Sequence, residues 1–186
     1  YLKHLHKLNY NRNKMLLDEI NKLDNIFNSI GIEFIYFKGV LNIKNSIYKD
    51  LGSRMIGDID VLIGNNDLIK INKLLENKLD YEFIKPKTKF WKKRHLPRLL
   101  KLNKTIALEI HTEVIEPNKK YLLSGHDVLS NYNKNQGDTL IKICILNYQI
   151  NDFGAFRCTY SYRTIYDYLL LLKHYKIKSH NVDNIY

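Results

Sequence analysis

The stretch LGSRMIGDIDVLIG, Leu51 to Gly64, sets two aspartates one residue apart at the head of an apolar run. Asp58 and Asp60 flank Ile59, and Val61, Leu62 and Ile63 follow. A short run of this kind, β-branched and closed by glycine, reads as a strand fit for burial. Side chains two apart on a strand face the same way, so Asp58 and Asp60 project together while Ile59 and Val61 point into the core. Two carboxylates this close repel, and burying them is expensive unless a cation offsets the charge. Oxygen donors of this kind suit Mg²⁺ or Mn²⁺, which keep several waters and also bind phosphates.

Working outward, IEFIYF (32–37) is too short for a helix and is bounded by Gly31 and Lys38-Gly39, so it reads as another strand. A helix starting near Val40 follows it. Strand, glycine and helix in that order suit a phosphate: glycine permits close backbone approach, and free amides at a helix start attract anions. Lys38 adds a mobile positive charge at the same point. Before this unit, apolar residues recur at helical intervals through residues 2–30, among them Leu5, Leu8, Met15, Leu16, Ile20, Leu23 and Phe27, and Gly31 ends the helix.

Beyond Gly64, an asparagine cap and the stripe Leu68, Ile71 and Leu74 predict a further helix, and YEFIK (81–85) a short strand. TIALEIHTEV (105–114) alternates as a strand and puts Glu109, His111 and Glu113 on one face. If it lies beside 58–63, Glu109 joins the two aspartates. Three such acids can hold two divalent ions about 3.5–4 Å apart, the spacing of in-line phosphoryl transfer. Helical patterns take over after Tyr121, with Asp138 as a cap for DTLIKICILNYQI. The expected architecture is α/β (α+β): a small mixed sheet flanked by helices over 1–117, and a helical part over 118–186 packed on it.

FKGVLN, then the arginine and GDIDVLI, then LEIHTE resemble the uncharacterised nucleotidyltransferase family of the DNA polymerase β-like superfamily, over about residues 32–114. The resemblance implies a glycine-containing phosphate turn at Lys38-Gly39, a metal pair Asp58 and Asp60, and a third acid, Glu109. A lysine stands where the superfamily turn has a small residue. Gly52-Ser53-Arg54 imitates that turn, but it lies too close to Asp58 for a helix and a returning strand. Arg54 either orients phosphate or pairs with Asp58, and His111 either contacts nucleotide or acceptor or bonds within the sheet.

The implied activity is metal-dependent transfer of a nucleotide from an NTP such as ATP to an acceptor hydroxyl: an RNA end, a peptide or protein, or a small molecule. The alternative is a catalytically silent nucleotide- or nucleic-acid-binding module, antitoxin-like or a regulatory subunit. The segment KPKTKFWKKRHLPRLLK (85–101) carries eight Lys/Arg, no acid and the only tryptophan, a composition suited to an RNA backbone with stacked bases.

The totals narrow the field. The formal charge is +11, inviting a polyanionic partner, although Lys, Asn, Ile and Tyr are abundant throughout. Two cysteines make no disulfide framework and no Cys/His spacing resembles a zinc site, so a cytoplasmic setting is expected. No apolar run approaches a membrane span, and the first residues lack the apolar centre of a signal peptide. The chain opens on Tyr1 rather than Met, as expected of a trimmed chain or a fragment.

Overall fold

A computed structural model describes residues 1–77, 80–84, 94–101 and 106–178. The chain divides into two compact units, Tyr1–Thr112 and Glu113–Tyr186. The first unit is built on a five-stranded mixed sheet in the order β1-β2-β5-β4-β3. Its strands are β1 (Phe34–Tyr36), β2 (Ile59–Ile63), β3 (Tyr81–Phe83), β4 (Leu99–Lys101) and β5 (Ala107–His111). β1 and β2 are antiparallel, β2 and β5 parallel, and β4 antiparallel to both β5 and β3. All five residues of β2 are buried, as an interior strand covered on both faces requires, and Asp60 is the one charged residue among them.

Helix α1 (Leu2–Ser29) contributes Leu16, Ile20, Leu23 and Phe27, each fully buried, at intervals of four, three and four residues. Each such side chain stabilises the fold by about 1.5–3 kcal/mol. Gly31, at φ +63°, turns the chain out of the helix toward β1. The amino-terminal half of α1 departs from the expected apolar stripe: Leu5, Leu8 and Met15 are exposed. The polar face does the work there. Asn9 Nδ2 donates to Gly52 O, Arg12 to Ile56 O and Gly57 O, and Asn13 Nδ2 to Leu51 O and Arg54 O at 2.6 Å each. This half of the helix lies over a loop whose carbonyls need donors, so polar side chains face inward.

Helix α2 (Lys38–Lys44) follows β1, and α3 (Leu68–Asn77) follows β2 with Ile71 and Leu74 buried. β4 falls in the basic segment that carries no strand pattern. It ends against an irregularity in its pairing with β5. Leu99 pairs with Leu108 and His95 with His111, so Leu96, Pro97 and Arg98 face only Glu109 and Ile110. The extra residue is a bulge, and Pro97, which has no N–H to give to a ladder, explains where it sits. The remainder of the basic segment, 85–93 with Phe90 and Trp91, lies outside the described residues.

The second unit is helical: α4 (Gly125–Tyr132), α5 (Gln136–Leu146), α6 (Gly154–Arg157) and α7 (Tyr162–Tyr175). Ser124 caps α4 by accepting from Asp127 N at 3.0 Å, and the Glu113 carboxylate accepts from Gly125 N. α5 starts two residues before the expected cap. Asp138 lies in its first turn, where an acid complements the helix dipole, and accepts from Asn135 Nδ2. A Cβ at Gly137 would come within 2.8 Å of Tyr175, so glycine permits the close approach of α5 to the end of α7. Among the described residues no helix is long and apolar enough to cross a membrane.

Candidate active site

The parallel register of β2 and β5 aligns Asp60 with Glu109 and Leu62 with His111. Asp60, Glu109 and His111 therefore share one face of the sheet. Their ligand atoms all lie within 4.8 Å of one another, a group that could hold a metal ion. Asp58 ends the loop just before β2, and α1 grips that loop through the bonds from Asn9, Arg12 and Asn13.

Asp60 is 3% exposed. Its Oδ1 accepts from Lys38 Nζ at 2.5 Å and from His111 Nε2 at 2.8 Å. Burial would push its carboxyl up, but Lys38 and His111 outweigh burial and hold it well below the usual range. Glu109 Oε2 lies 3.5 Å from His111 Nε2. The His111 bond, against burial and the Asp60 charge, keeps the Glu109 carboxyl below its ordinary value. Asp58 behaves in the opposite way. Burial, then the charges of Asp60 and Glu109, raise its carboxyl in spite of Lys38 and Arg98.

His111 is fully buried, with its ring edge-on to Phe37 at 4.8 Å between centroids and tilted against His95 at 5.0 Å. Because a carboxylate only accepts, Nε2 carries the proton shared with Asp60. Its Nδ1 has no hydrogen-bond partner among the described residues.

Lys38 opens α2 in the left-handed region, φ +58°. Phe37 before it is extended, and its N–H donates to Asp60 O, which ties the turn to the aspartate strand. Gly39 is needed for a different reason from the one its neighbour suggests. A Cβ there would sit 2.5 Å from Ile56 Cδ1, and the Arg54 guanidinium begins 3.5 Å away. Glycine at this position admits close packing, and Lys38 carries the unusual dihedral. Arg54 Nη1 donates to Met55 O, and the guanidinium stands over the Tyr48 ring. The Gly52-Ser53 stretch forms a local turn in which Ser53 Oγ donates to Asp50 O.

Arg98 is the residue that sequence reasoning missed. Its Nη2 donates to Asp58 Oδ2 at 2.8 Å, and its Nε lies 3.6 Å from Glu109 Oε1. Asp58 thus has Arg98 as an ion-pair partner. Within a run of basic residues nothing in the sequence singles it out, except that it follows Pro97. The bulge there brings Arg98 to the acids, as bulges beside functional sites commonly re-aim a side chain.

The model of the family described as uncharacterised nucleotidyltransferase matches residues 1–142, three quarters of the chain. The chain belongs to that family. No curated protein and no solved structure matches it.

Proposed function

From membership of that nucleotidyltransferase family, we propose that the chain transfers a nucleoside monophosphate from an NTP to an acceptor hydroxyl and releases pyrophosphate, using divalent cations, Mg²⁺ or Mn²⁺. The observation that carries this reading is the alignment of Asp60 with Glu109 on adjacent parallel strands, with His111 on the same face. The donor set fits the group: two carboxylates that favour the ionised form converge from two rigid strands, and the His111 N–H orients one of them. When bound, the ions would neutralise charge on the triphosphate and lower the barrier to attack at the α-phosphorus.

The chain's own residues have distinct tasks. Asp60 and Glu109 hold the cation side of the site, and Asp58 adds its carboxylate from the loop end. Glu109 receives the proton of the attacking hydroxyl. His111 holds the Asp60 carboxylate in one orientation. Lys38 and Arg54 take the triphosphate at the start of α2, where Gly39 lets Ile56 and the Arg54 guanidinium pack against the turn. Alignment and charge neutralisation carry most of the rate.

The test is the double substitution Asp58→Asn with Asp60→Asn. Transfer of labelled monophosphate from an α-labelled NTP with Mn²⁺ is expected to fall by at least about 100-fold. Undiminished transfer by the folded variant overturns the assignment. A second reading, nucleotide binding without turnover, draws on Lys38 and Arg98 already neutralising two of the acids. Nucleotide binding by calorimetry with no pyrophosphate released for any acceptor tried would favour it.

A further inference from the structure

Two cations of the chain itself occupy the acidic cluster. Lys38 Nζ lies 2.5 Å from Asp60 Oδ1, and Arg98 Nη2 lies 2.8 Å from Asp58 Oδ2 with its Nε toward Glu109. Three carboxylates against two cations leave the cluster with one negative charge, which repels a polyphosphate. We infer that Lys38 and Arg98 are phosphate ligands held in reserve on the acids, and that metal binding to those acids displaces them toward the triphosphate. The inference rests on the transferase reading above and assigns Arg98 to it.

Three observations support the exchange. A metal ion about 2.1 Å from the Asp60 oxygen would lie within about 5 Å of an ammonium bonded to the same oxygen, and like charges at that distance repel strongly in a buried site. Both side chains have somewhere to go: Lys38 is 23% and Arg98 42% exposed, whereas the Asp60 that Lys38 pairs with is closed in. The present bonding of Arg98 is also incomplete. Arg98 Nε is buried with no hydrogen-bond partner among the described residues, although a guanidinium fork suits two phosphate oxygens. Binding of two divalent ions would thus turn the cluster from one negative to one positive charge and release two donors.

Calorimetry on Lys38→Met and Arg98→Gln tests this with two probes: Mn²⁺ alone, and inorganic tripolyphosphate at saturating Mn²⁺, which needs no choice of base. Removing a competing cation is expected to tighten Mn²⁺ binding by roughly 10-fold. Removing a phosphate ligand is expected to weaken tripolyphosphate binding by a similar factor. The opposite signs in one variant are the signature. Weakening of both, or of neither, overturns the exchange, as does tighter Mn²⁺ with unchanged tripolyphosphate. Lys38→Arg and Arg98→Lys keep the charges and should stay closer to the parent chain in both measurements. If the parent chain binds no Mn²⁺, or binds it undiminished after Asp60→Asn, the transferase reading itself falls and takes this inference with it.

Discussion

Asp60 is buried and ionised at once, and its partners give its stability contribution a direction. Lys38 and His111 hold its carboxyl below the 3.8 of a free aspartate, so the unfolded chain takes up a proton there before the native one does. The stabilisation is complete above that value and is lost as the pH falls toward the native one. Asp58 runs the other way, since its raised carboxyl makes the native state the better proton acceptor. Urea midpoints with a chelator present should therefore show the gap between the parent chain and Asp60→Asn closing as the pH is lowered from 5 to 2.5. A gap that does not change with pH contradicts the pairing. Lys38 supports a second prediction. Lys38→Gly and Lys38→Ala both lose the ion pair, but only glycine relieves the φ of +58°, so the glycine variant should be more stable by about 1 kcal/mol. Equal midpoints would mean that the backbone there carries no strain. At this scale alternation set Glu109 and His111 on one face of β5, but Asp58 lies in the loop before β2 rather than in the expected strand. It is the parallel register with β2, which period two does not carry, that brings Asp60 to Glu109. Arg98 is not legible, because a run of like charges has no internal mark for the one that turns inward.

Elements place these residues, and the least obvious contribution comes from α1. Asn13 is fully buried and donates to Leu51 O and Arg54 O, on the loop that delivers Asp58. Asn13→Ala leaves those two carbonyls without that donor and opens a gap under the loop. A loss of about 2–3 kcal/mol is expected in urea unfolding, with weaker Mn²⁺ binding because the loop is freed. A change below about 0.5 kcal/mol would show that the loop holds itself. A helical-period search for apolar residues finds the carboxy-terminal half of α1, where Leu16, Ile20, Leu23 and Phe27 are buried, but not the amino-terminal half, where function inverts the pattern. β4 was illegible for a related reason. Three residues beside a proline, in a run of basic side chains, have no room to show alternation, and their strand character comes from pairing with β5 and β3.

For the molecule as a whole the informative quantity is charge, a formal +11 that composition shows but cannot apportion. Part of it is committed inside the fold. Arg98 pairs with Asp58, Lys38 with Asp60, and Lys101 with the buried Glu19, which also accepts from Tyr81 Oη at 2.9 Å. Two of the eight basic residues in 85–101 are therefore structural or belong to the site. The five lysines of 85–93 lie outside the described residues, and they are the ones on which an RNA acceptor depends. Counterion release makes the choice of acceptor measurable. If those five each neutralise one phosphate of a single strand, log affinity should fall with log salt at a slope near −3.5, about 0.7 per contact. Between 50 and 200 mM salt that is a loss of roughly 100-fold. Exchanging the five lysines for glutamine should flatten the slope while leaving Mn²⁺ binding at Asp60 and Glu109 unchanged. A neutral small acceptor or a peptide hydroxyl predicts a shallow slope in both proteins. An RNA that binds with a shallow slope would assign the positive charge to solubility and leave the basic segment without a part in acceptor choice.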